Sequence, residues 1–73
     1  MSAKFTVKNF SVVVPIHNEE EIILHSAAQI YDICKRQSLD FELIFVENGS
    51  TDKTLPLVKK FIFEKKECQV HTL

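Results

Sequence analysis

Two short apolar runs, rich in β-branched and aromatic residues, constrain the fold of this chain more than any other feature. The first reads S-V-V-V-P-I at Ser11–Ile16, and the second reads F-E-L-I-F-V at Phe41–Val46. Continuous apolar runs of this length are typical of strands that are buried on both faces of a parallel sheet. Because Pro15 has no amide hydrogen to donate, it is expected near the end of the first strand.

A helical pattern follows the first predicted strand. Its apolar positions recur every three or four residues: Ile23, Ala27, Ile30 and Cys34. This spacing predicts a helix at about 19–37. Asn18 is expected to cap the start of the helix, and Glu21, three residues later, would complete a capping box.

A second helical pattern follows the second predicted strand. Its apolar face consists of Leu55, Val58, Phe61 and Ile62. Since Pro56 fits only the first turn of a helix, we expect this helix to begin near Thr54 or Leu55. The segment Gln69–Leu73 is predicted to begin a third strand.

The order strand, helix, strand, helix, strand predicts an α/β fold, the βαβαβ portion of a Rossmann-like parallel sheet. If each strand adds beside the last in the same direction, right-handed crossovers would place both helices on one face of the sheet. The other face is also apolar, and parallel sheets are covered on both sides. We therefore expect the sequence to be incomplete as a domain, with the missing cover lying beyond residue 73 or in a partner.

Charge and composition argue against several classes of function. The chain has 73 residues, and Lys plus Arg number 9 against 10 Asp plus Glu, so no basic surface is expected to bind nucleic acid. Cys34 and Cys68 do not form a disulfide framework, and no His or Cys spacing predicts a metal site. No apolar stretch approaches the ~20 residues of a membrane span. Since the start of the chain lacks a signal peptide pattern, we expect a cytoplasmic location.

Ligands of open parallel sheets bind beyond the carboxyl ends of the strands. Here those ends carry two polar segments, Pro15–Glu19 and Glu47–Ser50. The single glycine, Gly49, excludes both the dinucleotide-binding fingerprint and the Walker A loop. Acidic residues at the helix start would repel phosphate, so a nucleotide here is expected to present its base and ribose to these side chains.

These two segments, with the strands before them, resemble the motifs of a known enzyme family. The run S-V-V-V-P-I-H-N-E-E, followed after a helix by E-L-I-F-V-E-N-G-S-T-D, resembles the opening of family 2 glycosyltransferases, which include the dolichyl-phosphate mannose synthases. The resemblance implies that residues 1–73 are the N-terminal part of a GT-A domain, with 1–9 as a flexible lead-in. It also implies a UDP- or GDP-sugar as donor and transfer of a hexosyl group.

The resemblance also assigns residues to the nucleotide-binding site. Those expected at the nucleoside pocket are Pro15, His17, Asn18, Glu19, Glu47, Asn48, Gly49 and Ser50. Family members usually carry a tyrosine or phenylalanine at the position of His17 and a pair of aspartates at Glu47 and Asn48. This second difference leaves open which base is read, because an amide both donates and accepts hydrogen bonds.

The D-x-D motif with which the family holds Mg²⁺ or Mn²⁺ does not occur in this sequence. The family's catalytic base also lies further along the chain, so we predict that these 73 residues are inactive alone and contain neither catalytic nor metal-binding residues. The enzyme's location would then be the cytoplasm or, if regions outside this segment attach it, the cytoplasmic face of a membrane.

Each feature also has a purely structural explanation. Asn18 with Glu21 would then be a helix cap, and Glu47–Ser50 would be a turn. The alternative function is accordingly a stand-alone, non-catalytic α/β binding or interaction module. Its partner would be a second copy or another protein, whereas the enzyme segment would pair with the remainder of its GT-A domain.

Overall fold

The computed structural model describes residues 10–37 and 40–73, so the predicted lead-in at 1–9 lies outside the described residues. The elements follow the order β1 (Phe10–Ile16), α1 (Ile23–Gln37), β2 (Phe41–Glu47), α2 (Thr54–Ile62) and β3 (Cys68–Thr72). The three strands form one parallel sheet in the order β1-β2-β3. This architecture confirms the predicted α/β fold, a partial Rossmann-like unit.

One face of the sheet carries the core. In the register of β1 and β2, Val12 lies beside Leu43 and Val14 beside Phe45, and both β2 side chains are fully buried. The core cluster draws on both helices and on the sheet: Ile16, Ile23, Ala27, Cys34, Phe41, Leu43, Phe45 and Val58. Both helices therefore cover the same face, as the handedness of the crossovers predicts.

The opposite face, which we call the open face, has no covering element among the described residues. Val13 is 59% exposed, and Pro15 beside it is also exposed. The neighbouring Ile44 and Val46 of β2 are half-buried. Within the described residues β1 is therefore covered on one face, as expected when both helices pack on the same side, and a cover for the open face from elsewhere stays a prediction.

Glu42 organises the polar end of the open face. Its carboxylate accepts hydrogen bonds from the Ser11 hydroxyl at 2.9 Å and from the Gln69 side-chain amide. The His71 ring donates in turn to the Gln69 side-chain oxygen at 2.8 Å. These bonds link side chains of all three strands, and together they satisfy a charge that lies half-buried beside the apolar Ile44.

Helix α1 begins at Ile23, four residues later than expected, and the capping-box prediction is wrong. A turn precedes the helix, in which the amides of Ile22 and Ile23 both donate to the carbonyl of Glu19. Asn18 does not cap this helix, because its side chain is hydrogen-bonded to Thr51 instead. Helix α2, in contrast, begins at Thr54 as predicted, and β3 begins one residue before the predicted start.

An aromatic cluster closes the end of the core where β2 begins. The Tyr31 ring packs edge-on against Phe41 and Phe61, with centroids 5.7 and 6.1 Å away. Its hydroxyl donates to the Glu67 carboxylate at 3.0 Å. Tyr31 thereby ties α1 to β2, to α2 and to the segment that leads into β3.

Candidate functional site

Two loops leave the sheet side by side at the carboxyl ends of β1 and β2. We call residues 17–22 the first loop and residues 48–53 the second loop. They are adjacent because Ile16 and Glu47, the last residues of their strands, are register partners. The Asn48 amide also donates to the carbonyl of Ile16 at 3.1 Å, which extends the pairing into the loops.

His17 joins the two loops through its ring. Its Nδ1 lies 2.6 Å from the backbone oxygen of Asn48, and since a carbonyl only accepts, Nδ1 is the donor. In the neutral ring Nε2 is then an acceptor, and the Asn18 side-chain amide donates to it at 3.3 Å. The imidazole is exposed to solvent, yet both of its nitrogens are oriented by the loops.

Asn18 is the main point of contact between the loops. Its backbone has a φ of +47°, a left-handed conformation that asparagine tolerates better than most residues. Its amide donates to the Ser50 hydroxyl at 2.9 Å, and its side-chain oxygen accepts the Thr51 amide at 2.8 Å. The asparagine therefore bonds to two consecutive residues of the second loop.

Glu47 is buried at the base of the second loop, with only 4% of its surface exposed. Its carboxylate accepts the Ser50 amide at 2.5 Å. A hydrogen bond from the Ser50 side chain, with further bonds from the amides of Ser50 and Gly49, lowers the pKa of Glu47 although burial opposes this. Gly49 takes the turn with a φ of +67°. Glu47 thus has a clear turn-forming role, and its expected role in nucleotide binding stays a prediction.

Asn48 differs from its neighbour Glu47 in its environment. It is exposed, and within the described residues its side-chain amide makes no hydrogen bond. Of the two residues at the position of the family's aspartate pair, Asn48 therefore offers free donor and acceptor groups at this edge of the sheet, whereas Glu47 offers a largely enclosed carboxylate.

Two carboxylates, one from each loop, cap the start of α2. Asp52 accepts the Thr54 amide at 2.9 Å, and Glu20 accepts the Lys53 amide at 2.8 Å. Hydrogen bonding to the Thr54 side chain, followed by bonds from backbone amides, lowers the pKa of Asp52. Because these acidic groups occupy the positive end of the helix, this helix start is a poor phosphate site.

Thr54 and Asp52 also accept hydrogen bonds from the backbone of the first loop. The Thr54 hydroxyl donates to Asp52 Oδ1 at 2.5 Å and accepts the Glu19 amide at 2.7 Å. The second Asp52 oxygen accepts the Glu20 amide at 3.2 Å. Thr54 is fully buried between the loops. Two consecutive amides of the first loop are therefore fixed by one residue pair at the start of α2.

A shallow cavity of about 350 Å³ opens beside these contacts. Its lining residues are Asn18, Glu19, Glu20, Glu21, Ile22 and Asp52. The lining is acidic, so the cavity suits hydroxyl and N–H donors of a ligand better than it suits phosphate. Among residues 10–37 and 40–73, no three His, Cys, Asp or Glu side chains converge to hold a metal ion, so the residues present do not fit Mg²⁺ or Mn²⁺.

The fold brings the predicted site residues to one edge of the sheet. Pro15 is the next-to-last residue of β1, and the first loop contains His17, Asn18 and Glu19. Glu47 ends β2, and the second loop begins with Asn48, Gly49 and Ser50. The sequence reasoning missed the structural importance of Glu20, Asp52 and Thr54. The signal for the last two was present, because an aspartate two residues before a threonine at a helix start is a capping pattern.

The chain matches a known protein family over nearly all of its described residues. The family model described as "Glycosyl transferase family 2" matches residues 11–72, which include both loops and all five elements except the first residue of β1. The chain belongs to glycosyl transferase family 2. The family resemblance predicted from the two loop motifs is thereby confirmed.

Curated family 2 relatives include two proteins named "Undecaprenyl-phosphate 4-deoxy-4-formamido-L-arabinose transferase". The one from Photorhabdus laumondii is 38% identical over 52 residues, covering 71% of this chain and 16% of the relative. The one from Proteus mirabilis is 32% identical over 60 residues, covering 82% of this chain and 18% of the relative. The chain therefore spans less than a fifth of the length of these family 2 proteins.

A further relative is the "Uncharacterized glycosyltransferase YkcC" of Bacillus subtilis, 29% identical over 51 residues, which are 70% of this chain and 16% of the relative. No solved structure matches the chain. Within the described residues, neither helix has the length and apolar character needed to cross a membrane.

Proposed function

We propose that this chain is the nucleotide-diphospho-sugar-binding segment of a family 2 glycosyltransferase. The observation that carries the proposal is the set of hydrogen bonds that joins the first and second loops at the carboxyl edge of the sheet. Open α/β sheets bind ligands at this edge. In the joined loops His17 and Asn48 are exposed and Glu19 is half-exposed.

These three groups suit a nucleoside. An imidazole held by both nitrogens offers a flat surface on which a base can stack. The free amide of Asn48 can donate to and accept from the edge of a base. The half-exposed carboxylate of Glu19 can accept the hydroxyl groups of a ribose. Pro15, Asn18, Gly49 and Ser50 would complete the pocket by shaping its backbone.

The diphosphate and the sugar are proposed to lie away from these loops, because Glu20 and Asp52 make the nearby helix start acidic. In the whole enzyme, residues outside this chain would supply the Mg²⁺ or Mn²⁺ site, which neutralises a diphosphate leaving group, and the catalytic base. We therefore propose that the chain by itself transfers no sugar, and that the whole protein works in the cytoplasm or at the cytoplasmic face of a membrane.

Titration of the purified chain with UDP and with GDP, followed by backbone amide NMR, tests the proposal. We expect shifts of the amides of the two loops and weakened binding in His17→Ala. Gln69→Ala on the open face is the control and should bind as the wild type does. Absence of loop shifts with both nucleotides at millimolar concentration would contradict the proposal, and turnover of a nucleotide sugar by the pure chain would contradict the absence of catalysis.

The open face favours a second candidate, a non-catalytic interaction module. Val13 is 59% exposed there, beside Pro15 and the half-buried Ile44 and Val46. Apolar surface of this kind is typical of protein contacts. Sedimentation of the chain distinguishes the two candidates together with the titration: a stable oligomer that binds neither nucleotide supports the module.

A further inference from the structure

We propose that Asp52 and Thr54 are positioning residues that set the first loop in the geometry for binding the donor nucleotide. The inference rests on the proposed function and deepens it, because it assigns the shape of the site to the hydrogen bonds that these two side chains make with the first loop.

The direction of the hydrogen bonds through Thr54 is fixed. An ionised carboxylate can only accept, so the Thr54 hydroxyl must point its hydrogen at Asp52 Oδ1. The oxygen of the hydroxyl is then free to accept the Glu19 amide, which lies 2.7 Å away. Asp52 therefore fixes the orientation of the Thr54 hydroxyl, and this hydroxyl fixes the direction of the Glu19 amide.

A second hydrogen bond, accepted by Asp52, further restrains the backbone of the first loop. Asp52 Oδ2 accepts the Glu20 amide, the next one along the first loop. Two consecutive peptide groups held from one carboxylate, one directly and one through a hydroxyl, have little freedom to rotate. The Glu19 side chain, which lines the cavity beside the loops, is held by this backbone.

Burial separates this role from direct binding. Thr54 has no exposed surface, so its hydroxyl cannot reach a ligand in the cavity. The Asp52 carboxylate is half-buried at the lining of the cavity, and its two oxygens accept the amide and hydroxyl of Thr54 and the Glu20 amide. The effect of Thr54 on a nucleotide can therefore only pass through Asp52 and the first loop.

The test replaces Thr54 by valine, which has nearly the same shape and lacks the hydroxyl, and by serine, which keeps it. We expect Thr54→Val to weaken the binding of the preferred nucleotide, UDP or GDP, by about tenfold, as for the loss of one hydrogen bond. Thr54→Ser should restore binding to within a few-fold of the wild type. Hydrogen exchange of the Glu19 amide should be faster in the valine variant and unchanged in the serine variant. Thr72→Val, at an exposed position of β3, is the matched control.

Two results would overturn the inference. In the first, Thr54→Val folds and binds the nucleotide as tightly as the wild type. In the second, binding falls equally in the valine and serine variants, so that the hydroxyl is irrelevant. If Thr54→Val does not fold, Asp52→Asn is measured in its place: weaker binding together with faster hydrogen exchange of the Glu19 and Glu20 amides supports the inference, and weaker binding with unchanged exchange overturns it. If the wild type itself binds neither nucleotide, the proposed function fails first, and the positioning role fails with it.

Discussion

Replacing neighbouring residues of β2 tests whether only one face of the sheet is covered. Leu43 is fully buried against the helices, whereas the side chain of Ile44, the next residue, lies half-buried on the open face. Leu43→Ala removes three carbon atoms from the core, about 2.4 kcal/mol of transfer free energy, and leaves a cavity, so we expect a loss of about 3–4 kcal/mol. Ile44→Ala removes the same number of carbons and should cost about 1 kcal/mol, because they are already partly in water.

Urea unfolding of the chain at one temperature measures both losses, with an unchanged slope showing that the unfolded states are comparable. A loss of about 3–4 kcal/mol is a large part of the ~5–15 kcal/mol stability typical of native proteins, so Leu43→Ala should unfold at a clearly lower urea concentration than the wild type. Equal losses for the two variants would refute the reasoning, because Ile44 would then be as deeply packed as Leu43.

Three further predictions concern ionisable groups. Hydrogen bonds, above all from the side chains of Ser50 and Thr54, hold the pKa values of Glu47 and Asp52 below their ordinary values, so the stability these carboxylates provide is complete above about pH 4.5 and is lost as the pH falls through the lowered values. The melting temperature should therefore fall between about pH 5 and about pH 3, and less so in Asp52→Asn. Burial raises the pKa of Cys68 to about 11, so iodoacetamide should label it at pH 8 roughly a hundredfold more slowly than a free cysteine; labelling at the free rate would show an accessible thiolate. Tyr31→Phe keeps the ring contacts and removes the hydrogen bond to Glu67, and should lower the free energy of unfolding by about 1 kcal/mol, whereas an unchanged value would mean that the bond contributes nothing.

The sequence predicts the elements of this fold well because their signals are local. The β-branched run of β1 and the apolar spacing of α1 are both visible without knowledge of the fold. Pro56 fixes the start of α2, since its ring fits only the first turn. Given the strand order β1-β2-β3, the handedness of the crossovers places both helices on one face.

The details of the site are not predictable in the same way, because the partners are far apart in the sequence. Asn18 and Glu20 lie in a pattern that a local rule interprets as the start of α1. In the structure Asn18 bonds to Thr51, and Glu20 caps α2, each across more than thirty residues. A choice between a local and a distant partner depends on the packing of β1 beside β2, which the capping rule does not consider. The expected binding roles of all eight predicted site residues stay predictions.

The capping of α2 has a consequence for the order of folding. The helix has nine residues, too few to be stable alone in water, and one of its caps, Glu20, is 33 positions earlier in the chain. Until β1 and β2 pair, the Lys53 amide lacks this cap, and only the local bond from the Thr54 amide to Asp52 remains. Helix α2 is therefore not expected to act as an early nucleus. It should acquire protection from hydrogen exchange only in the step that pairs β1 with β2, so that the candidate site and this helix form in one cooperative event.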